Sequence, residues 1–306
     1  MRVALTGATG TIGGALVRKL VDRGDGVVAL ARDARRARER LGGAVAVHEW
    51  PEPTQAPPPA AALAGVDAVV HLLGEPVDQR WTAGAKRRIR DSRVASTHLL
   101  AGALRALDDA ERPRVLVSQS ATGYYGPRDG RPLDEEAPPG DGFLAGVVVE
   151  WEREARAAAP AVRVVTTRTG VVLSPSGGAL GRMLPFFRLG IGGPVAGGHQ
   201  YVPWVHLDDV VGALLRCVDD DRLEGPVNVT APEPVTNAEL ARALGRVLGR
   251  PAVLPVPALA VRTLYGEMAE VVTTGQRVVP GVLQRLGHEF AHPQLEPALR
   301  DVLGRG

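Results

Sequence analysis

A glycine-rich loop near the start of the chain has the residue types that bind phosphate. The segment Thr6–Gly13 reads TGATGTIG and lies between a short apolar strand and a helix with an apolar stripe. Its first glycine permits a tight turn, its second lets the backbone approach a pyrophosphate, and its third lets the helix pack on the strand. Free N–H groups and the positive end of the helix dipole then face the phosphates. Unless the loop is a turn without function, the pattern predicts dinucleotide contacts from Gly7, Thr9, Gly10, Thr11, Ile12 and Gly13.

The end of the second strand indicates which dinucleotide is bound. An NAD site places Asp or Glu there for the ribose 2′-hydroxyl, whereas an NADP site needs a cation for the 2′-phosphate. Here the acidic position is Ala31, and Arg32 follows it. A guanidinium can hold a phosphate through two hydrogen bonds, with Arg35 and Arg36 assisting. The sequence therefore predicts NADP(H), although an inward-facing Asp33 would favour NAD, and a solvated charged helix is the alternative for this segment.

Three hydroxyl groups follow the fifth predicted strand and are the candidate catalytic groups. Ser120 stands at the end of that strand, where its hydroxyl could donate to a substrate carbonyl. Tyr124 and Tyr125 follow it, and a phenol near a bound cation can transfer a proton. A serine that caps a turn and tyrosines that only pack are the alternatives. The aromatic residues from Tyr124 to Trp204 are expected to include several that line one apolar cleft.

Other polar residues carry weaker predictions. Arg168 ends the sixth predicted strand and is expected to meet substrate or cofactor phosphate, with a buried ion pair as the alternative. His206 and Asp208 could form a general base and its orienting carboxylate, or cap a helix and tie two lobes together. The single cysteine, Cys217, lies in an apolar helical run and is expected to be an inert buried thiol. No Cys/His cluster has zinc spacing, so the sequence predicts no metal site.

The elements that position these residues alternate between strands and helices. Such alternation predicts an α/β, Rossmann-type doubly wound parallel sheet. A long helix is expected over Lys86–Leu107 and another over 236–249, capped by Thr236 or Asn237. The strands are predicted at Val3–Leu5, Val27–Leu30, Val45–Val47, Asp67–Leu73, Arg114–Ser118 and Val162–Arg168.

Composition excludes several classes of partner. The 306 residues carry a net charge of +2, and all but two of the 36 basic residues are arginine. This near-balance does not provide the basic field that grips nucleic acid. The arginines at 87, 88, 90 and 93 are expected to form a solvated helix face. Without a long apolar run or a signal-peptide pattern, the chain is predicted to be a cytoplasmic protein that binds no membrane.

Motifs along the whole chain resemble the extended short-chain dehydrogenases/reductases, within the atypical group similar to sugar-nucleotide epimerases. The loop resembles the family's TGxxGxxG, and HLLGE at 71–75 resembles its HLAGE. The resemblance implies NADP(H) binding in which Leu72, Gly74 and Glu75 take part. The remaining matches are SATGYYG at 120–126, WVHLDD at 204–209, and a C-terminal pattern of GEMA at 266–269 with Gln276, Arg277 and Pro280.

The resemblance also implies a division into two lobes. Residues 1–170 form the NADP-binding Rossmann domain, to which 202–230 return, while 171–201 and 231–306 form a small C-terminal substrate lobe. The family's catalytic Tyr-x-x-x-Lys pair is missing, because no tyrosine is followed four residues later by lysine. Alignment on Trp151 and Glu152 places Leu144 and Val148 at the two positions.

Three functions remain open at this stage. The first is an NADP(H)-dependent oxidoreductase that acts on a small carbonyl or enone compound. The second is an NADP(H)-binding regulator or scaffold without turnover, which the missing Tyr/Lys pair favours. A nucleotide-sugar epimerase is the weaker third. The expected partner is a small-molecule substrate, and a homodimer is a candidate assembly.

Overall fold

The strands predicted from the apolar runs lie side by side in one parallel sheet. The computed structural model describes residues 1–174 and 177–305. The strands are β1 Arg2–Thr6, β2 Gly26–Ala31, β3 Val45–Glu49, β4 Ala68–His71, β5 Val115–Ala121, β6 Pro132–Leu133, β7 Arg163–Thr169, β8 Val171–Leu173, β9 Tyr201–Val202, β10 Trp204–His206, β11 Gly225–Val229, β12 Val235–Thr236 and β13 Arg277–Val278.

The helices are placed between and after these strands. Short 3-10 turns at Thr122–Tyr125 and Gly266–Ala269 lie beside the candidate site. The helices are α1 Thr11–Asp22, α2 Ala34–Leu41, α3 Ala83–Ala106, α4 Phe143–Arg156, α5 Gly178–Arg188, α6 Leu207–Asp219, α7 Asn237–Leu248, α8 Ala258–Tyr265, α9 Glu270–Thr273, α10 Gly281–Arg285 and α11 Leu295–Val302.

The central sheet has seven strands in the order β11-β7-β5-β4-β1-β2-β3. All of its pairings are parallel. After β3 the chain crosses to the other side of β1 and continues with β4. This switch opens a crevice at the carboxyl ends of β1 and β4, which is where such sheets bind ligands. The prediction of a Rossmann-type doubly wound sheet is confirmed, and β11 adds a seventh strand from 225–229.

Strand alternation divides the core between the two faces of the sheet. Val3 and Leu5 of β1 pack in one apolar cluster with α1 and α6, whereas Ala4 packs in another with α3 and the end of α4. Successive strand residues point to opposite faces, so each buried strand supplies both clusters. Cys217 is fully buried in the first cluster, and burial raises the pKa of its thiol to about 12, as expected for an inert residue.

A third apolar cluster lies outside the central sheet. It combines α5, α7 and α11 with Leu173 and the fully buried Trp204. Helix α7 begins where the sequence predicts, because Thr236 forms a capping box with Glu239. Helix α3 begins three residues earlier than predicted, because Thr82 caps it by accepting from Ala85 N–H. The lobe boundaries at 170, 201 and 230 stay a prediction.

Candidate cofactor and catalytic site

The glycine loop leaves β1 and packs tightly against the end of β4. Gly7 has φ +68°, and a Cβ there would lie 2.8 Å from the Leu72 carbonyl oxygen. A Cβ at Gly13 would lie 2.2 Å from the Gly7 carbonyl oxygen. The Thr6 hydroxyl accepts from the Leu72 N–H at 3.0 Å and fixes the register between the two strands. The loop therefore forms a narrow cradle that only glycine can line at these two positions.

The first turn of α1 faces this cradle with unused donors. Helix α1 has no side-chain cap at Gly10. The N–H groups of Thr11, Ile12 and Gly13 have no carbonyl partner within the helix, because they belong to its first turn. Together with the helix dipole they suit a diphosphate. The cradle, including Thr9, fits the cofactor that the sequence predicts, and the individual contacts stay predictions.

Two charged residues follow β2: Arg32, whose side chain is free, and Asp33, whose carboxylate is already in use. Asp33 caps α2, because its side chain accepts from the Arg36 N–H at 2.9 Å. Arg32 is exposed, and in the described part of the chain it has no hydrogen bond or ion pair. The carboxylate therefore does not face inward to receive a ribose 2′-hydroxyl. This arrangement matches the NADP(H) alternative and not the NAD one.

Arg93 holds the residues that follow β4. Arg93 is half-buried, and its guanidinium donates to the Glu75 carbonyl at 2.9 Å and the Ile89 carbonyl at 3.0 Å. It also lies 3.1 Å from the position of a Cβ on Gly74. Burial lowers the pKa of Arg93 to about 10, so it stays charged at neutral pH. The prediction of a solvated face is wrong for Arg93, whose position four residues after the buried Ile89 indicates the inner side of α3.

Ser120 and Arg168 meet at one buried carboxylate. The Ser120 hydroxyl donates to Glu152 Oε1 at 2.7 Å, and the serine is 1% exposed. Arg168 donates to both carboxylate oxygens of Glu152, at 2.8 and 3.0 Å, and is 3% exposed. Arg168 thus forms a buried ion pair, which is the alternative that the sequence offers to a contact with substrate or cofactor phosphate. A catalytic role for Ser120 would require its hydroxyl to leave Glu152.

Tyr125 belongs to the same buried network. Its hydroxyl lies 2.7 Å from Asn228 Oδ1 and 2.9 Å from the Asp134 carbonyl, and it accepts from Arg168 at 3.1 Å. The side chain is fully buried, and this desolvation raises its pKa to about 12. These contacts favour the packing alternative for Tyr125, because a phenol so held is a poor proton donor at neutral pH.

Tyr124 differs from its neighbour in exposure and in its contacts. It is half-exposed, and its ring centroid lies 3.4 Å from the guanidinium carbon of Arg168. The edge of one tyrosine ring meets the other ring at a centroid distance of 5.3 Å. Within the described residues, no protein group forms a hydrogen bond with the Tyr124 hydroxyl. Of the three candidate hydroxyls, that of Tyr124 is the one free to contact a ligand.

The first turns of α4 present an apolar surface to these residues. Leu144 and Val148 stand one turn apart, and a Cβ on Gly123 would lie 3.6 and 4.0 Å from their side chains. They occupy the face where the resemblance places the family's tyrosine and lysine. Beyond them, Phe143 packs on Trp81 at a centroid distance of 5.1 Å, beside Met268 from the C-terminal part of the chain. Trp151 and Trp204 are core residues and line no cleft.

His206 caps α6 instead of pairing simply with Asp208. Its Nδ1 accepts from the Asp208 backbone N–H at 3.1 Å, and its ring stacks on His292 at 3.7 Å. Burial and the neighbouring His292 lower its pKa. The partners of His206 come from α6 and the C-terminal segment, as in the alternative that ties two lobes together.

Among the described helices, none is long and apolar enough to cross a membrane.

Nearly the whole chain is similar to known proteins. The family model described as NAD dependent epimerase/dehydratase family matches residues 3–230, and a domain of unknown function, DUF1731, matches residues 256–302. The Epimerase family protein Mb2239 of Mycobacterium bovis is 42% identical over 300 residues, which cover 97% of this chain and 96% of that protein.

Two solved structures are similar as well. Human epimerase family protein SDR39U1 (isoform 2), crystallised with NADPH, is 34% identical, with a TM-score of 0.89 and full coverage of both chains. A nucleoside-diphosphate sugar epimerase from Corynebacterium glutamicum is 31% identical, with a TM-score of 0.77, over 99% of this chain and 58% of that one.

Proposed function

The chain belongs to the NAD dependent epimerase/dehydratase family, and we propose that within it the protein is a cytoplasmic NADP(H)-dependent oxidoreductase. Its substrate is a small, mainly apolar carbonyl or enone compound. The observation that carries the proposal is the partly exposed Tyr124, whose ring lies over the Arg168 guanidinium and whose hydroxyl has no hydrogen-bond partner among the described residues. The neighbouring Gly123 faces the apolar start of α4.

The choice of cofactor rests on the end of β2. Asp33 is engaged as the cap of α2, and Arg32 is free to meet a 2′-phosphate. The human relative, which is 34% identical over its full length, was crystallised with NADPH. When bound, the cofactor supplies a hydride. Gly7, Gly13 and the first turn of α1 would hold its diphosphate.

Tyr124 supplies the proton that reduction of a carbonyl requires. With the hydride contributed by the bound cofactor, the Tyr124 O–H would give its proton to the carbonyl oxygen of the substrate, and the product would be an alcohol. The Arg168 guanidinium, paired with Glu152, lies against the face of the Tyr124 ring and holds that ring in position. Because Tyr124 is half-exposed, solvent returns the proton after each turnover.

The surroundings limit the substrate. Leu144, Val148, Phe143 and Trp81 offer apolar contacts, and the two polar groups beside them are engaged: the Trp81 N–H donates to the Val77 carbonyl, and the Lys86 ammonium near the Phe143 ring pairs with Glu267. Buried polar groups of a substrate need partners, so a sugar nucleotide is disfavoured here. The epimerase alternative therefore has less support than reduction of an apolar carbonyl.

One observation favours a second candidate, an NADP(H)-binding regulator without turnover. Leu144 and Val148 replace the two groups with which relatives of this family type transfer protons, while the glycine cradle is intact. A regulator would need the cradle and would not need Tyr124. The two functions are separated by turnover.

The test measures NADPH oxidation against a panel of quinones, enones and aldehydes. We expect turnover by the wild type and a loss of about 10²- to 10⁴-fold in Tyr124→Phe, with unchanged NADPH affinity. Tyr201→Phe is the control, since Tyr201 stacks on Arg277 outside the network around Glu152. Equal rates for Tyr124→Phe and wild type would refute the role of Tyr124. Tight NADPH binding without turnover on any panel member would favour the regulator.

A further inference from the structure

Four side chains that the proposed reaction does not use converge beside the start of α6. His206 ends β10, Asp208 lies in the first turn of α6, His292 precedes α11, and Asp301 lies on α11. One ligating atom from each residue lies within 4.8 Å of all the others. The two pairs come from distant parts of the sequence, so no spacing rule could have found the group.

His206, the buried member of this group, has a ring nitrogen without a hydrogen-bond partner that faces the other three residues. The His206 side chain is 4% exposed, and its Nε2 has no hydrogen-bond partner among the described residues. Asp301 Oδ2 lies 3.2 Å from that nitrogen without hydrogen-bond geometry. The His206 ring stacks on His292 at 3.7 Å with an interplanar angle of 33°. A buried nitrogen without a partner calls for an explanation, and a bound ion is one that the neighbouring groups suit, because a carboxylate and a second imidazole beside it are both metal ligands.

We propose that His206, His292 and Asp301 bind a divalent transition-metal ion of the zinc type. Imidazole and carboxylate ligands suit Zn²⁺, Co²⁺ and Ni²⁺, whereas Mg²⁺ and Ca²⁺ prefer oxygen alone. Tetrahedral zinc with bonds near 2.0 Å holds its ligand atoms about 3.3 Å apart, close to the present 3.2 Å between His206 and Asp301. Asp301 is more than half exposed and can rotate to close the site, while a water completes the coordination.

Asp208 serves the site as a hydrogen-bond acceptor for the His206 ring. Coordination through Nε2 of His206 requires the ring proton on Nδ1, so the ring gives up the hydrogen bond it accepts from the Asp208 backbone N–H. The Asp208 carboxylate lies 3.9 Å from Nδ1 and is placed to accept a hydrogen bond from the Nδ1–H group. A carboxylate behind a ligating histidine orients the ring and strengthens it as a ligand.

The backbone that carries His292 is already fixed on α6. The Asp209 carboxylate accepts from the Ala291 N–H at 2.6 Å and from the His292 N–H at 3.1 Å. Asp209 is buried, so these bonds hold the loop against the helix. A metal ion at this place would clamp the C-terminal segment with α11 onto β10 and α6. The site is structural and stands apart from the Tyr124 chemistry.

The test titrates EDTA-treated, dialysed protein with ZnCl₂ and with CoCl₂. We expect one equivalent to bind, a rise in Tm, and a cobalt absorption band typical of tetrahedral coordination. His292→Ala and Asp301→Asn, two changes at partly exposed side chains, should each weaken the affinity by about tenfold or more. Circular dichroism shows whether both variants fold. His98→Ala is the control, because His98 pairs with Glu154 on the surface and offers an incidental metal site.

The outcomes are separable from those for the proposed reaction, because no readout uses turnover. Saturable binding that survives in His98→Ala and is lost in both cluster variants supports the site. Absence of saturable binding to folded wild-type protein overturns it. Binding that is unchanged in His292→Ala and Asp301→Asn, or that is lost in His98→Ala, also overturns it.

Discussion

The guanidinium of Arg168 lies 3.4 Å from the ring centroid of Tyr124, while its edge makes two hydrogen bonds to Glu152. The Arg168 guanidinium is therefore fixed by the buried Glu152 carboxylate, and its face lies against the ring of the partly exposed Tyr124. Ser120 donates to Glu152 at 2.7 Å, and Arg168 donates to the Tyr125 hydroxyl at 3.1 Å and to the Glu135 carbonyl at 3.3 Å. We infer that Ser120, Tyr125 and Glu152 position Arg168, and that Tyr124 contacts the substrate.

Ser120→Ala distinguishes positioning from direct contact with substrate. We expect the variant to lose about 1–2 kcal/mol of unfolding free energy, because Glu152 loses one buried donor. NADPH affinity should be unchanged, and turnover should fall less than tenfold. Urea unfolding and NADPH oxidation measure both effects. A rate loss of about 10²–10³ without a change in stability would instead make Ser120 a donor to the substrate oxyanion.

Glu152→Gln leaves the Arg168 charge buried without a counter-ion. Loss of one partner from a buried ion pair destabilises a protein by about 3–5 kcal/mol. The matched control is Glu150→Gln on the same helix, whose pair with Arg90 is solvent-accessible and should contribute about 1 kcal/mol or less. Chemical denaturation of the three proteins tests the difference. Similar stabilities of the two variants would show that Arg168 is not held by Glu152.

Local sequence patterns predict the NADP(H) cofactor, whereas the direction of individual side chains does not follow from them. The glycine loop and Arg32 lie within one βαβ unit, so a short stretch of sequence contains the whole argument. Ser120 lies next to the last residue of β5, and that last residue, Ala121, is the more exposed of the two. Since side chains alternate along a strand, an uncertainty of one residue decides which of them faces the crevice.

Partners far apart in the chain could not be found from the sequence. Glu152 and Arg168 meet because α4 packs behind β5 and β7, and His206 and His292 meet because a C-terminal loop docks on α6. Neither contact corresponds to a residue spacing that could be recognised in the sequence. Arg93 is different, since its place on the buried stripe of α3 with Ile89 is visible in the helical period.

Arg32→Ala tests the choice of cofactor. Only NADPH carries the 2′-phosphate, so the loss of a charge-assisted contact should cost about 1.5–3 kcal/mol, or roughly 10- to 150-fold in NADPH affinity. NADH affinity should stay within about twofold, and Arg40→Ala, at an exposed position near the end of α2, should change neither. Calorimetric titration of each nucleotide provides the measurement. Equal losses for both nucleotides, or a wild-type preference for NADH, would refute the assignment.

Gly13→Ala tests the cradle. The new Cβ would lie 2.2 Å from the Gly7 carbonyl oxygen, so the loop must open and its N–H groups must turn away from the diphosphate. We expect NADPH binding to fall by about 100-fold or more, since several phosphate contacts are lost together. Gly102→Ala is the control, because nothing lies within 4 Å of its Cβ position in α3. This control should bind NADPH normally and gain about 0.5–1 kcal/mol in stability. Unchanged NADPH binding by Gly13→Ala would show that the diphosphate lies elsewhere.

His71 makes the stability of the fold depend on pH. Its ring is fully buried between Thr6 and Ser96, and burial lowers its pKa from 6.5 to about 4. Between these values the unfolded chain binds a proton that the folded chain does not, so stability falls as the pH is lowered from about 7 to about 4. For this histidine alone we expect a loss of about 2 kcal/mol between pH 7.5 and pH 5.

The measurement is urea unfolding of wild type and His71→Gln at both pH values. The glutamine keeps a polar contact to Thr6 and cannot take up the proton, so the variant should lose about 2 kcal/mol less on acidification. His206 and His288 have pKa values lowered by burial in the same direction, and they should leave a residual slope in the variant. An identical pH dependence in both proteins would mean that His71 is not buried in its neutral form.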